Sequence, residues 1–161
     1  MIFYLSNNEK INNLKDYILN YLNNNPEVKL YIGTDSQRKK GGKITYISTI
    51  CFRHIGKGVH IIHKKYVGKF TKDLFSKLWK ELEFSIEIAN EINKYIDRNE
   101  ITIDLDLNSL KKWESNVAHD AARGYVIGLG YNVRTKPYGW AASRASDHLS
   151  KRKKKRNIKI K

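Results

Sequence analysis

The chemistry-bearing residues of this chain are its acids. Sixteen Asp and Glu stand among 31 Lys and Arg in 161 residues, so a carboxylate at a strand end or helix rim invites a reason. Asp35 closes the apolar run in LYIGTDSQ, where Gly33 and Thr34 thin the chain, and Asp106 comes near the end of ITIDLDLN. Glu81 belongs to a long helical pattern. If the segments that carry them meet, three carboxylates converge and repel one another unless a cation neutralises them. Hard Mg²⁺ takes such oxygen ligands and keeps several waters. Each residue also has a plainer reading. Asp35-Ser36 suits a turn, Glu81 a half-solvated helix rim, and Asp104 a paired or solvent-facing strand position.

The elements that must position these acids follow from apolar spacing. Residues 9–24 place Ile11, Leu14, Ile18 and Leu22 at helical intervals, and Asn25-Pro26 ends that pattern. Three strands follow, Val28–Asp35, Lys43–His54 and Val59–Val67, joined by glycine turns at Gly41-Gly42 and in IGKG. This predicts an antiparallel meander. A helix over Thr71–Ile96, a strand over Ile101–Leu107 and a helix from Asn108 or Ser109 to Leu129 come next, with Gly130 as its stop. Tyr131–Lys136 reads as a fifth strand, Pro137–Gly139 as a turn and Trp140–Lys151 as a last helix. Strands reached across helices demand parallel crossovers. The expected fold is therefore α/β, a mixed five-stranded sheet of three antiparallel and two parallel crossover strands flanked by helices.

In that fold the strands bearing Asp35 and Asp106 are neighbours. Asp104 points to the same side as Asp106 but lies roughly 7 Å deeper along the strand. At about 100° per residue, the stripe of the long helix centres on Leu78, Ala89 and Ile96. Glu81 falls roughly 60° from that centre, Glu83 roughly 140° and Glu87 roughly 180°. Only Glu81 can look toward the strand ends.

The net charge is +15. Eight of the 31 bases lie in Lys151–Lys161, which leaves 23 bases against 16 acids in residues 1–150. Such a surplus attracts polyanions, nucleic acid first and an anionic membrane second; its plain alternative is solubility. Lys136, Tyr138 and Trp140 mix cations with aromatics, a pattern that suits stacking on unpaired bases or, for Trp140, packing over the sheet edge. The run through Lys151, Arg152, Lys153, Lys154, Lys155 and Arg156 would bind phosphates in a salt-dependent way. His60 and His63, three apart on a strand, face opposite sides and cannot share a metal. His119-Asp120 reads as a local pair or surface feature. A single Cys51 in an apolar stretch reads as a buried thiol. No apolar run is long enough to span a bilayer, and MIFYLSNNEK lacks a secretory pattern. A cytoplasmic protein without membrane association is expected.

The β-β-β-α-β-α-β-α order, with Asp in IGTDSQ, Glu on the first crossover helix and Asp in IDLDLN, resembles the ribonuclease H-like superfamily. GTDSQ together with GLGYNVRTKPYGWAASRASDHLSK is similar to the YkuK family of bacterial ribonuclease H-like proteins, over approximately residues 28–151. The resemblance implies that Asp35, Glu81, Asp106 and Asp147, the last in SRASDHLSK, hold two divalent ions, Mg²⁺ or Mn²⁺. It implies hydrolysis of RNA or structured nucleic acid by a two-metal mechanism that leaves a 5′-phosphate and a 3′-hydroxyl. Helix counting puts Asp147 on a polar face with Arg144 and Lys151, where a substrate-facing and a solvated carboxylate both fit. Two other readings stand beside the nuclease: a noncatalytic RNA- or ribosome-binding protein on the same scaffold, and a dimeric, structure-specific resolvase. The implied division is an N-terminal helix packed on the domain in 1–27, the ribonuclease H-like domain in 28–151 and a disordered basic tail in 152–161.

Overall fold

The structure, a computed structural model, describes residues 1–110 and 112–141. Along the chain come β1 (Phe3–Leu5), β2 (Lys10–Ile11), α1 (Leu14–Asn24), β3 (Lys29–Lys39), β4 (Lys43–His54) and β5 (Gly58–Lys69). Then follow α2 (Leu74–Ile92), β6 (Ile101–Asn108), α3 (His119–Gly128) and β7 (Asn132–Lys136). Among the described residues the strands form one mixed sheet in the order β2-β1-β5-β4-β3-β6-β7.

The meander of β3, β4 and β5 is antiparallel, and its glycine turns hold positive φ at Gly41, Gly42, Gly56 and Gly58. β6 joins β3 in parallel and β7 joins β6 in parallel, as crossovers through α2 and α3 require. The expected five strands are thus present, and the sheet has two more. β1 and β2 form a small antiparallel pair that extends the β5 edge. Its turn places Asn8 at φ 71°, a conformation Asn tolerates, and a Leu5 N–H to Glu9 carbonyl bond closes it.

Three helices differ in extent from the spacing-based expectation. α1 starts at Leu14 rather than Glu9, because the Asn13 side chain accepts the Asp16 N–H as an N-cap and Ile11 is taken by β2. α2 starts after Asp73, whose carboxylate caps Ser76 N–H, and stops at Ile92. The continuous helix expected from Asn108 is replaced by a loop, a 3₁₀ turn at Glu114–Ala118 and the shorter α3. Polar side chains divert the backbone there: Asn116 Nδ2 donates to the Asn108 and Ser109 carbonyls, and Ser115 Oγ accepts Asn108 N–H. The last helix expected over Trp140–Lys151 lies, beyond Ala141, outside the described residues, as does the tail.

The sheet has two unequal faces. Leu30, Ile32, Ile50, Phe52, Ile101 and Ile103 face one way and pack with Leu82, Ala89 and Ile92 of α2, Ala122 and Val126 of α3, and Ile18 of α1. Tyr31 and Cys51, the alternate residues, face the other way and pack with Ala141. Burial pushes the Cys51 thiol up to about 12, so it stays protonated and inert. No helix among the described residues is long and apolar enough to cross a membrane.

Candidate functional site

The β3–β6 register puts two acids side by side. The last paired positions are Gly33 opposite Asp104, and two residues on, each strand carries an aspartate, Asp35 and Asp106. β3 itself continues to Lys39, paired with β4 throughout, so Asp35 sits where β6 has parted from a strand that goes on. The parting opens a depression of about 540 Å³ that Asp35, Asp106 and Glu81 all line. Glu81 is more deeply set than a rim residue, at 6% exposure.

Each carboxylate has a different set of partners. Asp35 Oδ1 accepts the Ser36 N–H at 2.7 Å. Glu81 Oε1 accepts the Ser36 hydroxyl at 2.6 Å and lies 3.4 Å from Lys77 Nζ, one helical turn earlier. Asp106 Oδ1 is buried and, among the described residues, meets only the Lys136 ammonium, 2.5 Å away as an ion-pair contact. Burial, the Glu81 charge and the Asp106 charge push the Asp35 carboxyl up to about 7, against relief from Ser36 N–H and Lys77. Burial also raises Glu81, with Lys77 and Ser36 opposing it. Two lysines therefore neutralise two of the acids, while Asp35 carries the repulsion. Among the described residues, no group of three His, Cys, Asp or Glu is close enough together to hold a metal ion.

Asp104, one pleat below Asp106, does something else. It is 1% exposed and receives four hydrogen bonds. Arg134 grips it in a bidentate fork, Nε at 2.8 Å and Nη2 at 2.7 Å, and the Trp140 and Ala141 N–H groups donate at 2.9 Å each. The Arg134 guanidinium lies 4.0 Å over the Tyr31 ring, and Trp140 packs on the same ring at 5.4 Å. Thr49 shares its hydroxyl proton between the Gly33 and Ala141 carbonyls. Gly139 permits this crossing: a Cβ there would stand 3.3 Å from the carbonyl oxygens of Arg134 and Leu105. Asp104 is thus a paired, structural carboxylate that fixes where the chain after β7 crosses the sheet.

Of the residues singled out by sequence, Asp35, Glu81, Asp106 and Lys136 come together at one site. Trp140 is half-buried on the Tyr31 face of the sheet, between Tyr31 and the guanidinium groups of Arg134 and Arg53, and does not line the depression. Asp147, Arg144 and the basic run from Lys151 to Arg156 lie outside the described residues. His119 pairs locally with Asp120 and reaches Thr135. Sequence reasoning missed Ser36 and Lys77. The Lys77–Glu81 spacing of four on a helix was the available signal for one of them; Ser36, masked by its suitability for a turn, gave none.

A protein-family model described as ribonuclease H-like matches residues 9–151. Searches of the curated proteins and of the solved structures each found no significant match. The match covers nearly the whole chain, including β3, β6 and α2. The chain belongs to the ribonuclease H-like family, a membership that points to nucleic-acid binding or nuclease chemistry.

Proposed function

We propose that this protein, within the YkuK group of its family, is a cytoplasmic divalent-metal-dependent nuclease that hydrolyses RNA or structured nucleic acid. The reading rests on the convergence of Asp35, Glu81 and Asp106 on one depression, with Asp35 pushed to about 7 by burial and by the other two. Carboxylates gathered in a cleft against their own electrostatics are the arrangement in which functional sites tune their acids. The donor set suits a hard cation: every candidate ligand is a carboxylate oxygen, and among the described residues the buried Asp106 Oδ1 is met only by a cationic group, the Lys136 ammonium. Asp35, Glu81 and Asp106, joined by Asp147, would hold Mg²⁺ or Mn²⁺, which when bound supplies Lewis acidity and charge neutralisation to a phosphodiester. The protein's own residues orient the site. Ser36 holds Glu81 Oε1 in place. Lys77 and Lys136, released from their acids by a cation, can turn to phosphate oxygens. Arg144 and the run Lys151, Arg152, Lys153, Lys154, Lys155 and Arg156 would draw in the polyanion.

The test is cleavage of labelled RNA, DNA, hybrid and branched substrates with Mg²⁺ or Mn²⁺, wild type beside the double variant Asp35→Asn/Asp106→Asn. Cleavage by the wild type alone is expected. Failure of both proteins on every substrate, with salt-sensitive binding kept by both, would refute catalysis.

A second reading, a noncatalytic RNA- or ribosome-binding protein, is favoured by the same lysines. Lys136 and Lys77 already pair with Asp106 and Glu81, so two of the three acids are balanced without a cation. Under that reading, removal of residues 152–161 weakens binding and Asp35→Asn leaves it unchanged.

A further inference from the structure

The carboxylate depression has an aromatic margin that the nuclease reading does not use. Trp113, on the loop between β6 and the 3₁₀ turn, lines the depression and is 51% exposed. The Lys112 ammonium lies 5.5 Å from its ring centroid. Leu74, in the first turn of α2, lines the same depression, and the next residue begins a ladder of rings. Phe75 stacks on Trp79 at 5.6 Å with 12° between the planes, and Trp79 stacks on Tyr125 of α3 at 5.7 Å with 29°. Phe75 and Tyr125, the two ends of the ladder, are exposed at 39% and 47%. The described chain ends at Ala141 on the opposite face of the sheet, packed with Tyr31 and Cys51.

Trp79 is half-buried against the core, but the exposed Phe75 and Tyr125 rings that flank it, and Trp113 beside the Lys112 ammonium, offer a platform for bases. Every nucleobase has a π-face, and stacking on an aromatic side chain is favourable whatever the base. A duplex hides those faces within its own stack, so only unpaired bases can use such rings. The chain's +15 net charge supplies the phosphate attraction that an apolar protein partner would not need. From the adjacency of this margin to the acidic depression, and resting on the nucleic-acid reading above, we infer that Trp113 and the two exposed ends of the ladder, Phe75 and Tyr125, stack unpaired bases. The substrate class is single-stranded nucleic acid, or the unpaired segment of a structured one, with its backbone led past Asp35 and Asp106.

The discriminating probe is an oligouridine strand set against an abasic strand of the same length and charge and a duplex of the same length, each measured by fluorescence anisotropy at moderate salt with the full chain. The base-bearing strand should bind wild type about tenfold more tightly than the abasic one, the order expected for one or two stacked bases. Trp113→Leu and, separately, Phe75→Leu/Tyr125→Leu should erase most of that preference while leaving abasic binding unchanged. All three side chains are exposed, so the fold should survive, and circular dichroism checks that it has. Equal affinity for base-bearing and abasic strands in the wild type would overturn the platform but leave a phosphate-binding protein intact. So would a duplex that competes as well as the single strand. If the Leu variants instead break a wild-type dimer and keep the base preference, the rings serve self-association and the inference is wrong. No binding to any strand would sink the nucleic-acid reading itself, and the platform with it.

Discussion

Asp35 should weaken the fold it belongs to, and the size of that penalty can be worked out. In the unfolded chain its carboxyl titrates near 3.8; in the folded protein burial, Glu81 and Asp106 push it up to about 7. Below pH 4 the group is protonated in both states and contributes no difference. Between pH 4 and 7 the folded state holds a proton that the unfolded state has lost, so stability falls as pH rises. The fall is complete once pH has passed about 7. A pKa difference of that size corresponds to about 4 kcal/mol at 1.36 kcal/mol per tenfold. Partial solvent access to Asp35 trims this to roughly 2–3 kcal/mol.

Replacing Asp35 by Asn keeps an oxygen to accept the Ser36 N–H and removes the charge. At pH 8 the variant should therefore be the more stable protein by about 2–3 kcal/mol, or roughly 5–10 °C in melting temperature for a chain of this size. At pH 4.5 the two proteins should melt within about 2 °C of one another. Thermal melts by circular dichroism across pH 4.5–8, without divalent cations, read the difference directly. Subtracting variant from wild type cancels the titrating groups that do not face Asp35, and leaves Asp35 together with its coupling to Glu81 and Asp106. A gap that stays constant with pH, or that favours the wild type at pH 8, would refute the reasoning that the three acids are held together against repulsion. Site carboxylates that cost stability are expected where function demands the arrangement.

Three further outcomes follow from the same geometry. Arg134→Met leaves Asp104 buried with only two backbone donors and should cost about 3–5 kcal/mol, whereas Arg134→Met/Asp104→Leu should recover part of it; equal losses would deny that the pair is coupled. Lys136→Met removes the ammonium that competes for Asp106, so the Mg²⁺ concentration at half-maximal thermal stabilisation should fall about three- to tenfold, and an unchanged midpoint would show that Lys136 does not occupy the cation's place. Burial, helped by His54, lowers the pKa of His60, whose Nε2 bonds Tyr17; wild type should therefore lose stability as pH falls below 6.5, and His60→Gln should lose less in melts at pH 7.5 and 5.5.

How much of this was legible beforehand depended on how local its cause was. The meander, the two crossover strands and the placing of Asp35 and Asp106 on neighbouring strands follow from alternation, glycine turns and the rule that crossovers make parallel neighbours. Glu81 followed from helical angle alone, which is why its side was right and its depth was not: burial depends on what β3 and β4 bring against it. The edge pair β1–β2 was hidden because Ile11 fits a helical stripe as well as a strand, and only the Asn13 cap decides between them. The broken segment after β6 was hidden for a like reason. Its apolar spacing is helical, but Ser115 and Asn116 satisfy backbone groups of Asn108 and Ser109, which a helix there would have to release. Competition of that kind between side chain and backbone leaves no periodic trace.

The two aspartates of β6 show why residue type alone could not separate site from scaffold. Asp104 and Asp106 share a strand, a face and nearly a motif. What divides them is one pleat of register. At Asp104 the strand still has Gly33 on one side and Arg134 on the other, and the carboxylate is closed over by a fork and two backbone amides. The β6–β7 register then slips, so that Asn108 rather than Asp106 stands opposite Lys136. Across that irregularity Lys136 reaches Asp106 only through its flexible tip. An ammonium on a long stem can leave; a guanidinium held in a buried fork cannot do so at comparable cost. The bond that fixes the lower aspartate also anchors Trp140 and Ala141, six residues before Asp147, and so sets where the chain carrying that acid begins. Scaffold and site are thus alternate positions on one strand, the first rigid because a buried fork and two backbone amides close over it, the second available because its partner is held by a flexible stem.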